Sequence, residues 1–235
     1  MRLILALAAT AIVGPASASL IPQSQYAFQN NRIPTVHESA VMARRILHLS
    51  ALGTLSTVFP AADAPSSRPA DVAGTSIGLI EYIADCEPTG DPTLLALDIA
   101  TTFKNAAAGS NASLSLSWTP PPGSRPVSPA SLPRFALTGY LEPLRTDEVA
   151  AHGIPACFAR AHPDARAWFP GNRIHASRWA RLVVREVYWV GGFGDRAYIG
   201  WIPSEEWRSV TREEVRECVL PGEKEREGWR EWLGF

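Results

Sequence analysis

Cysteine is scarce: Cys86, Cys157 and Cys218 are the full complement of three, and no two form a C-x-x-C pair. The five histidines, at positions 37, 48, 152, 162 and 175, stand at no zinc spacing from one another or from a cysteine. No metal centre is read from them. An excess of charge of either sign is missing too, with 22 Lys and Arg against 23 Asp and Glu for a net charge of −1. No basic surface is implied, so nucleic acid is not an expected partner. After Val13 there is no further long apolar run, which leaves no candidate membrane span downstream of the N-terminus. Strand and helix signals do not alternate as βαβα, which excludes a doubly wound parallel sheet. What remains is 235 residues, 46% hydrophobic and 19% charged, enough for one sizeable domain.

The N-terminus carries an address. Met1-Arg2 is a short basic start, Leu3 to Val13 an apolar core too short to span a bilayer, and Ala16-Ser17-Ala18 a small-residue cleavage site. Residues 1–18 are expected to be a signal peptide cleaved after Ala18, followed by a flexible segment over 19–34. Gly234-Phe235 is no retrieval signal, so the destination is extracellular, or a vacuolar or lysosomal lumen. On that route Asn111-Ala112-Ser113 is a glycosylation sequon, with Asn111 as acceptor. An odd set of cysteines there implies one disulfide and one free thiol. The expected pair is Cys86–Cys157, because Cys218 falls in a charged tail outside the core.

Thr35-Val36-His37-Glu38 reads as a capping box opening an amphipathic helix, with Val36, Ala40, Ala43 and Leu47 on one side and Arg44, Arg45 and His48 mainly on the other. Strands follow over Leu52–Phe59, Ser76–Ala84 and Leu94–Leu97, then a short helix from Asp98 that Gly109 stops. Ala112, Leu114, Leu116 and Trp118 alternate with Ser113, Ser115 and Ser117 in a fourth strand, and a fifth runs from Arg134 to Leu141. Thr146–Ala161 reads as one helix. The Arg181–Val190 run, Gly191-Gly192-Phe193-Gly194 and Ala197–Ile202 read as a hairpin ended by Pro203. The first of those strands is apolar on both faces, which calls for cover on both. Ser204 is read as the cap of a short helix, and Thr211 with Glu214 as a second capping box; Trp229 and Trp232 share one face of the tail. Consecutive strands at close spacing predict a mainly β (α+β) fold, an antiparallel barrel of six to seven strands with short flanking helices.

Two motif matches are rejected on context. Gly192-Phe193-Gly194-Asp195-Arg196-Ala197 fits the dinucleotide pattern but leads into a strand, with no helix to meet a pyrophosphate. Gly74-Thr75-Ser76-Ile77-Gly78 fits a nucleophile elbow, yet a Pro/Ser-rich loop precedes it and a strand follows.

Taken in order, Ala43–Leu47 into Leu52–Thr57, Asp98-Ile99-Ala100 with Lys104-Asn105, Asn111–Leu114, Arg134–Gly139, His162–Ala165 and Val190–Gly194 resemble the FMN-binding split barrels of the pyridoxamine 5′-phosphate oxidase-like superfamily. Within it the similarity is to CREG-like secreted glycoproteins and to the bacterial haem-utilisation branch. The resemblance implies a split-barrel domain over 35–203 with a C-terminal helical tail over 204–235. It also implies a homodimer whose inter-subunit cleft takes a protein partner or a flavin-like ligand. In flavin-binding relatives the loop and helix after the third strand grip the phosphate, which places Thr101, Thr102, Lys104 and Asn105 at the cofactor, with Trp118 beside the flavin. Phe103 stands where those relatives have an arginine, and Thr102 where haem-utilising relatives have a histidine. Three readings follow. The first is a non-catalytic binding scaffold without a cofactor, as CREG-like proteins have lost flavin binding; the second is an FMN-dependent oxidoreductase, with Trp189 or Trp201 also available to the ring. The third is a haem-binding protein with His162 or His175 as axial ligand. Arg181, Arg185 and the Asp195-Arg196 pair are further candidates to meet a phosphate, an acidic partner or a ligand.

Overall fold

Thr35 opens the first helix, α1 (Val36–Leu49): its hydroxyl accepts from the Glu38 N–H at 3.2 Å while the Glu38 carboxylate takes the Thr35 N–H at 2.7 Å. The capping box read from sequence is therefore formed. The computed structural model describes residues 32–61, 68–124 and 126–223. The expected leader, nearly all of the 19–34 segment and the Trp229/Trp232 stripe lie outside the described residues. The strands are β1 (Leu52–Val58), β2 (Ser76–Ala84), β3 (Thr93–Leu97), β4 (Ala112–Ser117), β5 (Arg134–Pro143), β6 (Ser177–Val190) and β7 (Ile199–Ile202). The helices after α1 are α2 (Thr101–Ala107), α3 (Thr146–Ala151), α4 (Ile154–Ala161), α5 (Ser204–Ser209) and α6 (Arg212–Glu217).

All strand pairs are antiparallel, in the order β3-β2-β1-β4-β5-β6-β7, and a further β3–β6 pairing closes six of the strands into a barrel. β6 makes closure possible through its length. Its first half pairs with β3 and its last four residues with β7, while β5 runs along its other edge. Leu55, Leu114, Leu137, Val187 and Ile202 form one in-register row across β1, β4, β5, β6 and β7, each with no exposed surface. Fully burying such a side chain contributes roughly 1.5–3 kcal/mol, so this row is the spine of the barrel core.

The apolar residues on both faces of β6 have two causes within the chain itself. Residues 182 and 184 face inward before Arg185, and 187 and 189 after it. A bulge makes the switch: Gly139 pairs with Val184 and Thr138 with Glu186, which leaves Arg185 as the extra residue. Gly139 is required there, since a Cβ would lie 1.9 Å from the Val183 carbonyl oxygen. Trp179, by contrast, points outward and is buried in a second apolar cluster with Ile154, Phe158 and Ala165, outside the barrel under α4. Only Tyr188, half exposed, leaves a large apolar group of β6 open on the outer face.

Three further expectations are corrected. Thr146–Ala161 is two helices, because Gly153 takes a left-handed conformation (φ 56°) and breaks the run before Pro155. Ser204 lies inside α5, and Pro203 occupies the cap position without a side-chain bond. Arg44 and Arg45 are buried rather than solvated. Arg44 donates to the Trp207 and Pro88 carbonyls and lies over the Trp207 ring, while Arg45 donates to the Val215 carbonyl and pairs with Glu223, so both clamp α1 onto α5 and α6. The second capping box, Thr211 with Glu214, is formed as read.

Candidate functional site

The side chains expected to hold a flavin phosphate converge on α2, but most are already engaged. Thr102 is fully buried and its hydroxyl donates to Glu81, whose carboxyl is pushed up by burial and only partly held down by that bond. Asn105 is buried and its amide donates to the Thr57 hydroxyl at 3.1 Å. Trp118 packs in the barrel core and donates to the Pro221 carbonyl at 2.7 Å, fastening the C-terminal segment. Thr101 is half-buried at the start of α2, and Lys104 alone is exposed. The expected set therefore does not act together: three members hold the fold, and Lys104 faces a cleft.

That cleft has a volume of about 310 Å³ and lies between α2 and the ends of β3, β5 and β6. Ala96, Phe103, Leu141 and Ala180 give it an apolar floor, with Lys104, Asp98 and Arg178 as its charged groups. Asp98 and Arg178 form an ion pair across the β3–β6 seam, two residues on from Ala96 and opposite it, respectively. Arg178 was not legible as a site residue, since only the non-local pairing of β3 with β6 brings positions 98 and 178 together. Lys104 and Arg178 could meet an anion at the rim. An FMN phosphate is left with the Thr101 hydroxyl and Lys104 out of the expected donors, because the Thr102 hydroxyl and the Asn105 amide are spent on Glu81 and Thr57.

The other candidates lie apart from this cleft. His162 is buried, meets the Ile83 carbonyl through Nε2 at 2.8 Å and stacks on Tyr82 with ring centroids 4.5 Å apart, so it is a packed core histidine and not an open axial ligand. His175 is exposed on the loop before β6, where its backbone N–H donates to Asn172. Trp189 is fully buried in the core, while Trp201 is 55% exposed and packs edge-on against Tyr188. Arg181 does not await a phosphate: it donates to Glu87, Glu142 and Glu148 at 2.7–2.9 Å, and these carboxylates raise its pKa against the opposing effect of burial. Arg185 lies over the Tyr140 ring, and Asp195 and Arg196 pair with each other on the surface. Among the described residues no group of three or more His, Cys, Asp or Glu is placed to hold a metal.

The cysteine pairing is as expected. Cys86 and Cys157 form a disulfide with Cα atoms 5.8 Å apart. Cys218, expected outside the core, is buried within it, and burial pushes its thiol up to about 12. Asn111 is exposed just before β4.

A family model described as CREG, beta-barrel matches residues 34–209. The chain belongs to the CREG β-barrel family. No curated protein matches the sequence. Among solved structures the barrel is similar to a heme-binding protein from Mycobacterium smegmatis, at 23% identity and TM-score 0.57, over 76% of this chain and 62% of that one. It is also similar to Campylobacter jejuni ChuZ, at 11% identity and TM-score 0.51, over 75% and 66% of the two chains. The chain thus spans just under two thirds of either protein, and at these identities the likeness is one of fold.

Proposed function

We propose that this CREG-family chain is a secreted, vacuolar or lysosomal glycoprotein that works as a non-catalytic binding scaffold, its barrel paired with a second copy. The observation that carries the reading is the internal use of Thr102, Asn105 and Trp118. A phosphate-gripping loop must keep its hydroxyls and amides free, and here the Thr102 hydroxyl and the Asn105 amide are spent on holding α2 to the barrel, as the Trp118 indole is on the C-terminal segment. The basic core-and-cleavage pattern of residues 1–18 and the exposed position of Asn111 support passage through a glycosylating compartment.

A second reading, haem binding, has one observation in its favour. The α2 cleft joins an apolar floor to Lys104 and to Arg178, the latter paired with Asp98, which suits a flat apolar ring with a carboxylate at its edge. The Mycobacterium smegmatis relative is a heme-binding protein of the same fold. An ultraviolet-visible titration of the purified chain with FMN and with haem separates the readings. The scaffold takes up neither through gel filtration. A retained flavin spectrum that Lys104→Ala abolishes would overturn the scaffold in favour of an oxidoreductase. A retained Soret band lost with Lys104→Ala and Arg178→Ala would establish the second reading.

A further inference from the structure

A second cavity, of about 390 Å³, shares no lining residue with the α2 cleft. Four elements meet there: His48 comes from the end of α1, Asp85 follows β2, Arg160 lies on α4 and Arg212 opens α6, with His152 on the turn between α3 and α4. The Cys86–Cys157 disulfide forms part of the wall and ties the end of β2 to α4. Arg160 and His152 are thereby held relative to Asp85 by a covalent brace.

Asp85 is the internal counter-ion of this group. Its side chain is 1% exposed, and Oδ2 meets His48 Nδ1 at 3.1 Å and Arg212 Nη1 at 3.3 Å. The same Nη1 also reaches the Asp85 backbone carbonyl at 3.3 Å. One carboxylate therefore fixes an imidazole and a guanidinium, and leaves His48 Nε2 and the Nε and Nη2 of Arg212 without a partner among the described residues. Arg160 spends only Nη1, on the Ala156 carbonyl of its own helix, and has no carboxylate partner among the described residues. Behind them lies fully buried Arg44, which burial and Arg212 push down in pKa while Asp85 and Asp91 act the other way. Among the residues that line the cavity, Arg160 and Arg212 stand against the single carboxylate of Asp85, so its lining carries an excess of positive charge. Glu87, a further carboxylate that acts on His152 through its charge, is spent on Arg181.

Single surface arginines are ordinarily just solvated. Here two converge from separate elements around a buried carboxylate, in a concavity of small-ligand size. We propose that this cavity binds a phosphate- or sulfate-class dianion, free or as the ester on a small body such as a sugar. The planar guanidinium forks of Arg160 and Arg212 match paired oxygens of a tetrahedral anion, and the imidazole N–H groups supply further donors. The volume exceeds the needs of a bare ion, which favours an ester.

Isothermal titration calorimetry at constant ionic strength tests this, with inorganic phosphate, sulfate and glucose 6-phosphate as probes and chloride and glucose as controls. The oxyanions give saturable binding and the controls none. R160Q weakens binding about tenfold, as expected for one lost hydrogen bond to a charged group, and the effect of R212Q is at least as large. R160Q leaves the His48–Asp85–Arg212 contacts in place, and near-ultraviolet circular dichroism checks that the fold is kept. Tighter binding of glucose 6-phosphate than of phosphate assigns the ester; equal affinity assigns the free ion, and either supports the site. No saturable heat with any oxyanion, or affinity indifferent to both R160Q and R212Q, overturns it. So does binding that is lost with K104Q but kept in R160Q, which would move the anion to the α2 cleft.

Discussion

Arg181 shows how one residue can be misread from its neighbours in sequence. On a strand it is a cation free to meet a phosphate; in the fold it sits at the centre of Glu87, Glu142 and Glu148, which come from the turn after β2, from β5 and from α3. Glu87 is the demanding member. Its side chain is 2% exposed, one carboxylate oxygen has no partner among the described residues, and burial raises its carboxyl even with Arg181 beside it. R181M would leave that charge buried and unpaired, at a cost of roughly 3 kcal/mol near neutral pH. The folded-state pKa of Glu87 would rise further, so the folded chain takes up the proton as pH falls and the penalty shrinks. Urea midpoints of R181M and the parent at about pH 7 and about pH 4.5 check this. A loss of equal size at both would mean that packing, not charge, is what Arg181 supplies.

At the level of elements, α1 is joined to α5 and α6 through a histidine that titrates. His37 meets Glu206 on α5 through Nδ1 at 2.8 Å and Glu214 on α6 through Nε2 at 2.9 Å, and these bonds, Glu214 first, raise its pKa above the ordinary value of 6.5. A raised histidine stabilises the fold fully below its unfolded pKa and loses that contribution as pH rises through the folded value. H37Q therefore lowers the urea midpoint at about pH 5.5 and leaves it unchanged at about pH 8.5, by less than about 1 kcal/mol because the side chain is half exposed and screened. The disulfide is the stronger tie, closing a sequence separation of 71 between β2 and α4. Removing both cysteines as C86A/C157A costs about 4 kcal/mol on chain-entropy grounds, read as a shift in urea midpoint. Legibility divides along the same line. Both threonine capping boxes, the alternation of β4 and the span of β2 were readable because each is decided within a few residues. The Arg185 bulge, the burial of Arg44 and Cys218 and the Asp98–Arg178 pair were not, since each depends on which distant strand or helix arrives beside it. For the same reason the flavin assignment failed at Thr102, Asn105 and Trp118: their chemistry suits a phosphate, and only the fold reveals that Glu81, Thr57 and Pro221 reach them first.

The molecule as a whole presents one outer face that looks unfinished for a barrel standing alone. Ile80, Thr54, Ser115, Ala136, Tyr188 and Trp201 form a single in-register row across β2, β1, β4, β5, β6 and β7, on the side opposite the buried spine. Its ends are large and apolar, with Ile80 70% and Trp201 55% exposed, and its middle is made of small side chains that leave a shallow hollow of about 360 Å³. A row with tall ends and a low centre is shaped to seat a second such surface turned about a two-fold axis, where the aromatic end of one copy lies over the hollow of the other. A stable pair covers on the order of 800 Å² per partner, and the charged groups at the row's margin, Arg134 and Glu186, are few enough not to prevent it. The expected result is a dimer by light scattering coupled to gel filtration for the parent chain. W201E, which puts a charge at the end of the row without touching the core, is expected to yield a folded monomer with an unchanged circular dichroism spectrum. If W201E stays dimeric, the pairing surface lies elsewhere and the Tyr188–Trp201 pair is simply an exposed aromatic contact; if the parent is itself a monomer, the scaffold binds its partner as a single barrel and this row becomes a surface on which that partner can rest.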